Sequence, residues 1–141
     1  MLEPVKLTDE MREAFANAIA DRAPVMVATS GASGMPDLAF KGSAMVWDDD
    51  HVAFWERSLG TTLQNMRENP QVCLMYRNAE KRQVWKMFGG CELHDGGELR
   101  QQVMDRTIQL ELDRDPERKG VAVIVRIDKV IQLGQVVMER A

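Results

Sequence analysis

Alternation of hydrophobic and polar positions is the dominant pattern in this chain, and it predicts strands. Residues 37–47 alternate, which predicts one strand with four apolar residues on one face: Leu38, Phe40, Ala44 and Val46. The acidic run 48–50 predicts a turn, and residues 51–55 predict the returning strand of a hairpin. Further strands are predicted at 25–29, 72–76, 83–93, 121–127 and 130–137.

Helical spacing of apolar residues predicts two longer helices. Met11, Phe15 and Ile19 form one stripe, in a helix that Thr8 caps and Pro24 ends. Residues 98–113 predict a second helix, whose stripe on one side is Leu99, Val103 and Leu110.

Glycines and short connections favour a small barrel. Gly89 and Gly90 predict a bulge or bend in a long strand, and Gly134 predicts a second bulge. Hairpin turns favour antiparallel pairing. The predicted fold class is therefore mainly β with flanking helices (α+β), as a six- to seven-stranded antiparallel barrel in a single domain over residues 1–141.

Composition excludes several classes of protein. The chain of 141 residues has a formal net charge of −4, whereas a non-specific nucleic-acid binder carries positive charge. No apolar run reaches the length of a membrane span, and the charged N-terminus is unlike a signal peptide. Cys73 and Cys91 have no metal-ligand spacing, so we expect buried free thiols and a cytoplasmic location.

The sequence offers no recognisable catalytic constellation. His51 and His94 lie at strand ends, without the partners of a nucleophile–base triad, so no catalytic residue is assigned. The run Asp48-Asp49-Asp50 lacks calcium-loop spacing and is interpreted as a solvated turn, so no metal is expected.

Residues 55–69 predict an anion site. A strand leads through Arg57 and Ser58 into a short helix that begins near Gly60 and carries Thr61 and Thr62 in its first turn. Free N–H groups and the dipole make a helix start suitable for a phosphate, and an arginine adds a fork of donors. The alternative is simple N-capping by Ser58 or Thr61.

Three motifs carry a resemblance to a known family. They are Asn69-Pro70-Gln71-Val72, Arg82-Gln83-Val84 before the strand with Gly89-Gly90, and Pro36 followed by Lys41-Gly42-Ser43. In order and spacing, over about residues 8–137, the chain resembles the pyridoxamine 5'-phosphate oxidase-like family of FMN-binding split barrels. The resemblance implies a split β-barrel and a homodimer with FMN in a groove between the subunits.

The resemblance also implies roles for particular residues. Lys41 matches a basic residue on the phosphate or ribityl side of the flavin, and Trp55 with Glu56 matches the pair that flanks it. Gln83 matches a partner-chain glutamine that contacts the flavin. Thr61 and Thr62 replace an Arg-Lys pair, a departure for which Arg57 and Ser58 compensate in our interpretation. The predicted cofactor-binding residues are Lys41, Gly42, Ser43, Trp55, Glu56, Arg57, Ser58, Thr61, Thr62, Gln83 and Trp85.

The leading functional prediction is an FMN-dependent oxidoreductase acting on a small molecule. Alternatives are a deazaflavin coenzyme or haem in the same fold, or a flavin-binding carrier or sensor without turnover. We do not expect pyridoxamine 5'-phosphate oxidase activity, since the oxidase's C-terminal Trp and Arg-x-His segment has no counterpart before Ala141 and Met45 falls near a substrate-binding lysine. The predicted substrate pocket is apolar, framed by Met45, Trp55 and Trp85.

Overall fold

The computed structural model describes residues 2–141. Over these residues the chain forms four helices and eight strands. The helices are α1 (Asp9–Ala16), α2 (Thr61–Glu68), α3 (Gly97–Arg106) and α4 (Gln109–Asp113). The strands are β1 (Val25–Ser30), β2 (Pro36–Lys41), β3 (Met45–Val46), β4 (His51–Glu56), β5 (Gln71–Asn78), β6 (Gln83–His94), β7 (Val121–Gln132) and β8 (Gln135–Glu139).

One curled antiparallel sheet dominates the molecule. Its strand order is β2-β1-β5-β6-β7-β4-β3, and β8 pairs with β7 beside this path. The path therefore holds seven strands, and β8 is an eighth. The predicted strand at 130–137 covers the end of β7, the turn after it and the start of β8. The predicted class, mainly β with flanking helices in an antiparallel split barrel, is confirmed.

The sheet curls where its two longest strands pair. The register between β6 and β7 shifts at Phe88/Gly89, as the glycines predicted. A Cβ on Gly89 would lie 1.9 Å from the carbonyl oxygen of Arg126, so only glycine allows this close backbone approach. The predicted bulge at Gly134 is wrong: Leu133 and Gly134 both have positive φ, and they form the two-residue turn between β7 and β8.

The predicted single strand over residues 37–47 is two strands. A turn after Lys41, closed by the Ala44 N–H on the Lys41 carbonyl at 3.2 Å, separates β2 from β3. β2 pairs with β1, and only the short β3 forms the predicted hairpin with β4. Because the turn redirects the chain, Leu38 and Phe40 point outward, 65% and 68% exposed, while Val46 is buried.

Both predicted long helices are shorter in the structure. Thr8 caps α1 as predicted, by accepting from the Met11 N–H at 3.1 Å, but the helix ends at Ala16 and Ile19 is exposed. The segment 98–113 breaks at Thr107, whose hydroxyl donates to the Val103 carbonyl at 2.7 Å.

The broken segment also changes the predicted burial. Val103 of α3 is fully buried, whereas Leu99 and Leu110 are exposed, so the predicted three-residue stripe is wrong. The thiols of Cys73 and Cys91 are free but only half-buried. Burial raises the pKa of Cys91 to about 11, which keeps it protonated near neutral pH.

The core has two parts. The larger fills the inside of the curled sheet and includes Phe15, Tyr76 and Trp85. The smaller lies between the sheet and α3–α4, around Trp55 and Val103. Among residues 2–141 no helix is both long and apolar enough to cross a membrane.

Candidate functional site

The turn between β2 and β3 meets the end of β4 through buried polar contacts. The Lys41 ammonium lies 2.5 Å from Glu56 Oε1, with the two side chains 8% and 0% exposed. Beside this pair, the Ser43 hydroxyl accepts from the Trp55 N–H at 2.8 Å and donates to the Trp55 carbonyl at 3.2 Å. Three predicted site residues, Lys41, Ser43 and Glu56, are therefore brought together where this turn meets β4.

The second oxygen of Glu56 shapes the loop that leads to α2. Glu56 Oε2 accepts from the Ser58 N–H at 3.1 Å, the Ser58 hydroxyl at 2.6 Å and the Leu59 N–H at 3.1 Å. Leu59 has a φ of 55°, an uncommon conformation for leucine that these bonds help to hold. Burial alone would raise the pKa of Glu56, but the contacts with Lys41, Ser58 and Leu59 outweigh it and lower the pKa.

The start of α2 is open. Gly60 is its N-cap and no side chain among the described residues caps it, so the predicted capping by Ser58 or Thr61 is wrong. Thr61 is exposed, whereas Thr62 is buried and its hydroxyl donates to Asp37 at 3.4 Å. The first N–H groups of α2 thus keep their capacity to bind an anion.

A small groove lies beside this loop. Its volume is about 140 Å³, and its lining is Ala39, Phe40, Lys41, Trp55, Arg57, Ser58 and Glu111. Arg57 is one-third exposed, and its Nε lies 3.8 Å from Glu111 Oε2, too far for a hydrogen bond. The predicted residues Lys41, Arg57 and Ser58 therefore line one groove. Gly42 lies against Glu111, because a Cβ added at Gly42 would be 3.1 Å from Glu111 Oε1.

The two predicted tryptophans are core residues. Trp55 is 1% exposed and donates from Nε1 to Asp115 at 2.8 Å. Trp85 is 3% exposed, stacks on Tyr76 and donates to Gln132 at 2.9 Å. They belong to different parts of the core, so the predicted pocket framed by Met45, Trp55 and Trp85 is wrong.

Gln83 lies away from the groove. Its amide donates to Glu10 of α1 at 3.1 Å, at the start of β6. The predicted contact of Gln83 with a flavin concerns a second subunit, so it stays a prediction.

The sequence interpretation missed a partly exposed apolar face of the sheet. The outer face of β2, β1, β5 and β6 carries an apolar surface, here called the outer sheet face: Met26, Leu38, Phe40, Cys73, Met75 and Phe88. Cross-strand pairing joins Met26 to both Phe40 and Met75, and Cys73 to Phe88. A signal was present, because residues 72–76 are apolar at both alternating positions, which is typical of a strand covered on both faces.

The cluster Asp48, Asp50 and His51 is a local hydrogen-bonded turn. His51 Nδ1 lies 2.8 Å from an oxygen of each aspartate. These side chains are exposed or half-buried, and they lie apart from the groove lining.

A curled antiparallel sheet with this groove at the β4–α2 loop defines the class as a split barrel. The model of the pyridoxamine 5'-phosphate oxidase family matches residues 7–133, and the chain belongs to that family. No curated protein matches the sequence.

Solved structures share the fold at low sequence identity. HupZ from group A Streptococcus superposes with a TM-score of 0.72 at 22% identity, covering 96% of this chain and 98% of that one. An FMN-binding protein from Syntrophomonas wolfei gives 0.68 at 14% identity, covering 88% and 84%. An F420 reductase gives 0.58 at 16% identity, covering 77% and 89%.

Proposed function

We propose that this protein binds FMN and acts as a flavin-dependent oxidoreductase on a small molecule. The observation that carries the proposal is the open start of α2 directly after the loop of Ser58 and the one-third exposed Arg57. Family membership and the likeness to an FMN-binding protein support the same cofactor.

The groove and the start of α2, which follows its Arg57–Ser58 lining along the chain, together offer groups that fit a flavin phosphate. Arg57 offers guanidinium donors, and the first turn of α2 offers N–H groups and the Thr61 hydroxyl. Glu56 holds the intervening loop in place, because it binds two of its N–H groups. Lys41 lines the groove as well, but its charge is already compensated by Glu56, so Arg57 is the main cation for a phosphate.

The isoalloxazine ring would supply the redox chemistry, and the protein would bind and orient it. This division of labour agrees with the lack of a nucleophile–base constellation in the sequence. Because both tryptophans are buried, the isoalloxazine ring would lie on another surface. The outer sheet face offers an apolar surface for it.

We further propose a homodimer built on the outer sheet face. Phe40 belongs both to this face and to the groove lining, so a second copy seated on the face would reach the groove. Apolar surface of this kind on a soluble protein marks an interaction site. The location proposed is the cytoplasm, where the free thiols Cys73 and Cys91 would stay reduced.

The first experiment is the mass and absorbance spectrum of the cofactor that co-purifies with the protein. FMN mass with flavin bands supports the proposal. A deazaflavin mass or a haem Soret band would replace FMN by one of the alternatives in the same fold. Reduction by NADH or NADPH, followed by reoxidation with candidate acceptors, separates an enzyme from a carrier or sensor.

A further inference from the structure

Glu111 places a carboxylate inside the proposed phosphate groove. It belongs to α4, is 7% exposed, and was not among the predicted site residues. Its Oε2 lies 3.8 Å from Arg57 Nε and 4.0 Å from Arg114 Nη1. Its Oε1 faces Gly42, where an added Cβ would lie 3.1 Å away.

Glu111 changes the charge balance of the groove. The lining has two cations, Lys41 and Arg57, and one carboxylate, Glu111. Lys41 is bound to the buried Glu56, so Arg57 is the cation of the lining that remains for an anion, and Glu111 already attracts it. A phosphate that binds Arg57 therefore meets the charge of Glu111 and has to replace it as the partner of the guanidinium.

We propose that Glu111 is a specificity-determining residue that competes with the ligand's phosphate for Arg57. Its carboxylate weakens the binding of phosphorylated flavins and leaves unphosphorylated flavins unaffected. This inference rests on the proposed function, since it concerns the same groove. Both contacts are too long for hydrogen bonds, which leaves the guanidinium able to exchange partners.

The test is a double-mutant cycle between Glu111→Gln and Arg57→Ala, with FMN and riboflavin as probes and calorimetric titration as the measurement. Glu111→Gln should tighten FMN binding by about threefold, the scale of a weak, solvent-screened ion pair, and leave riboflavin binding unchanged. In the Arg57→Ala background the gain should disappear. Glu111→Asp moves the carboxylate away from Arg57 and should give a smaller gain in FMN affinity. This variant also tests the proposal if Glu111→Gln proves unstable.

Glu117→Gln is the matched control. The Glu117→Gln substitution makes the same change in net charge as Glu111→Gln. Glu117, however, is 70% exposed and pairs with Lys119 outside the groove lining. Equal gains in Glu111→Gln and Glu117→Gln, or equal gains for FMN and riboflavin, would overturn the role of Glu111 while leaving FMN binding intact. Failure of the wild-type protein to bind either flavin would overturn the proposed function and this inference together.

Discussion

Two cation–carboxylate pairs flank the same loop, and they differ in nearly every physical respect. Lys41 and Glu56 are buried in contact, and Glu56 is further held by the loop's N–H groups. Arg57 and Glu111 are separated by 3.8 Å, and Arg57 is one-third exposed. The first pair is therefore built into the fold, whereas the second is free to exchange a partner.

Residue type alone therefore does not determine which of the two cations is available to a ligand. Both basic residues were predicted to bind a flavin phosphate from the sequence. Lys41 stays paired with Glu56 and stabilises the fold, because separating the pair would leave a buried charge without its partner. We expect substitutions to separate the two roles.

The largest effect is expected at Lys41. Lys41→Met leaves the Glu56 carboxylate buried without its ion pair, so the free energy of unfolding should fall by about 3–5 kcal/mol. Chemical denaturation measures it. The control is Lys119→Met, since both Lys119 and its partner Glu117 are 70% exposed and such surface pairs contribute at most about 1 kcal/mol. Similar losses in the two variants would remove the distinction between the pairs.

The next effect is expected at the outer sheet face. Phe40→Glu buries a charge in the proposed dimer interface and should weaken dimerisation by roughly 2 kcal/mol or more, about thirtyfold, in sedimentation equilibrium. Leu133→Glu is the matched control, because Leu133 is 66% exposed in the β7–β8 turn, outside this face. A wild-type protein that is monomeric while it holds FMN would refute the interface.

A smaller effect is expected at Arg57. Arg57→Ala should weaken FMN binding by about 1.5 kcal/mol, the lower end for a charge-assisted hydrogen bond, and riboflavin binding much less. Arg67→Ala provides the control, because Arg67 is an exposed residue of α2 that pairs with Asp95. If FMN and riboflavin weaken equally, Arg57 does not hold the phosphate.

The smallest effect is expected on the stability of the protein at acid pH. Because the folded-state pKa of Glu56 lies below its ordinary value of 4.5, the carboxylate adds stability above that pH, and this stability is lost as pH falls through the folded-state pKa. Glu56→Gln should therefore flatten the fall of thermal stability in that range. The same acid slope in the variant and the wild type would show that other groups cause it.

Much of the fold could be predicted because its determinants are local. Period-two alternation identified β4 and most of β7, short apolar runs identified β1 and β5, and the glycine at position 89 identified the bulge. The turn after Lys41 was missed because the alternation continues through it, so nothing local indicates that the chain changes partner strand. The break at Thr107 was missed because a threonine is compatible with a helix interior.

The candidate site was predictable only in part. The loop from Arg57 to Thr62 is contiguous in sequence, so its convergence on the start of α2 was visible. The place of Glu111 in the groove was not visible from the sequence, because this residue belongs to a helix more than fifty residues further along the chain. The burial of the two tryptophans in different parts of the core was not predictable, because an aromatic residue in a strand carries no indication of which face of the sheet it occupies.

The most direct test of the central claim is calorimetric titration of the cofactor-free wild-type protein with FMN and with riboflavin. We predict one flavin per subunit and FMN binding about tenfold tighter than riboflavin, since only FMN brings a phosphate to Arg57 and the start of α2. Equal affinity for the two, or no binding of either, would contradict a flavin-phosphate site in this groove.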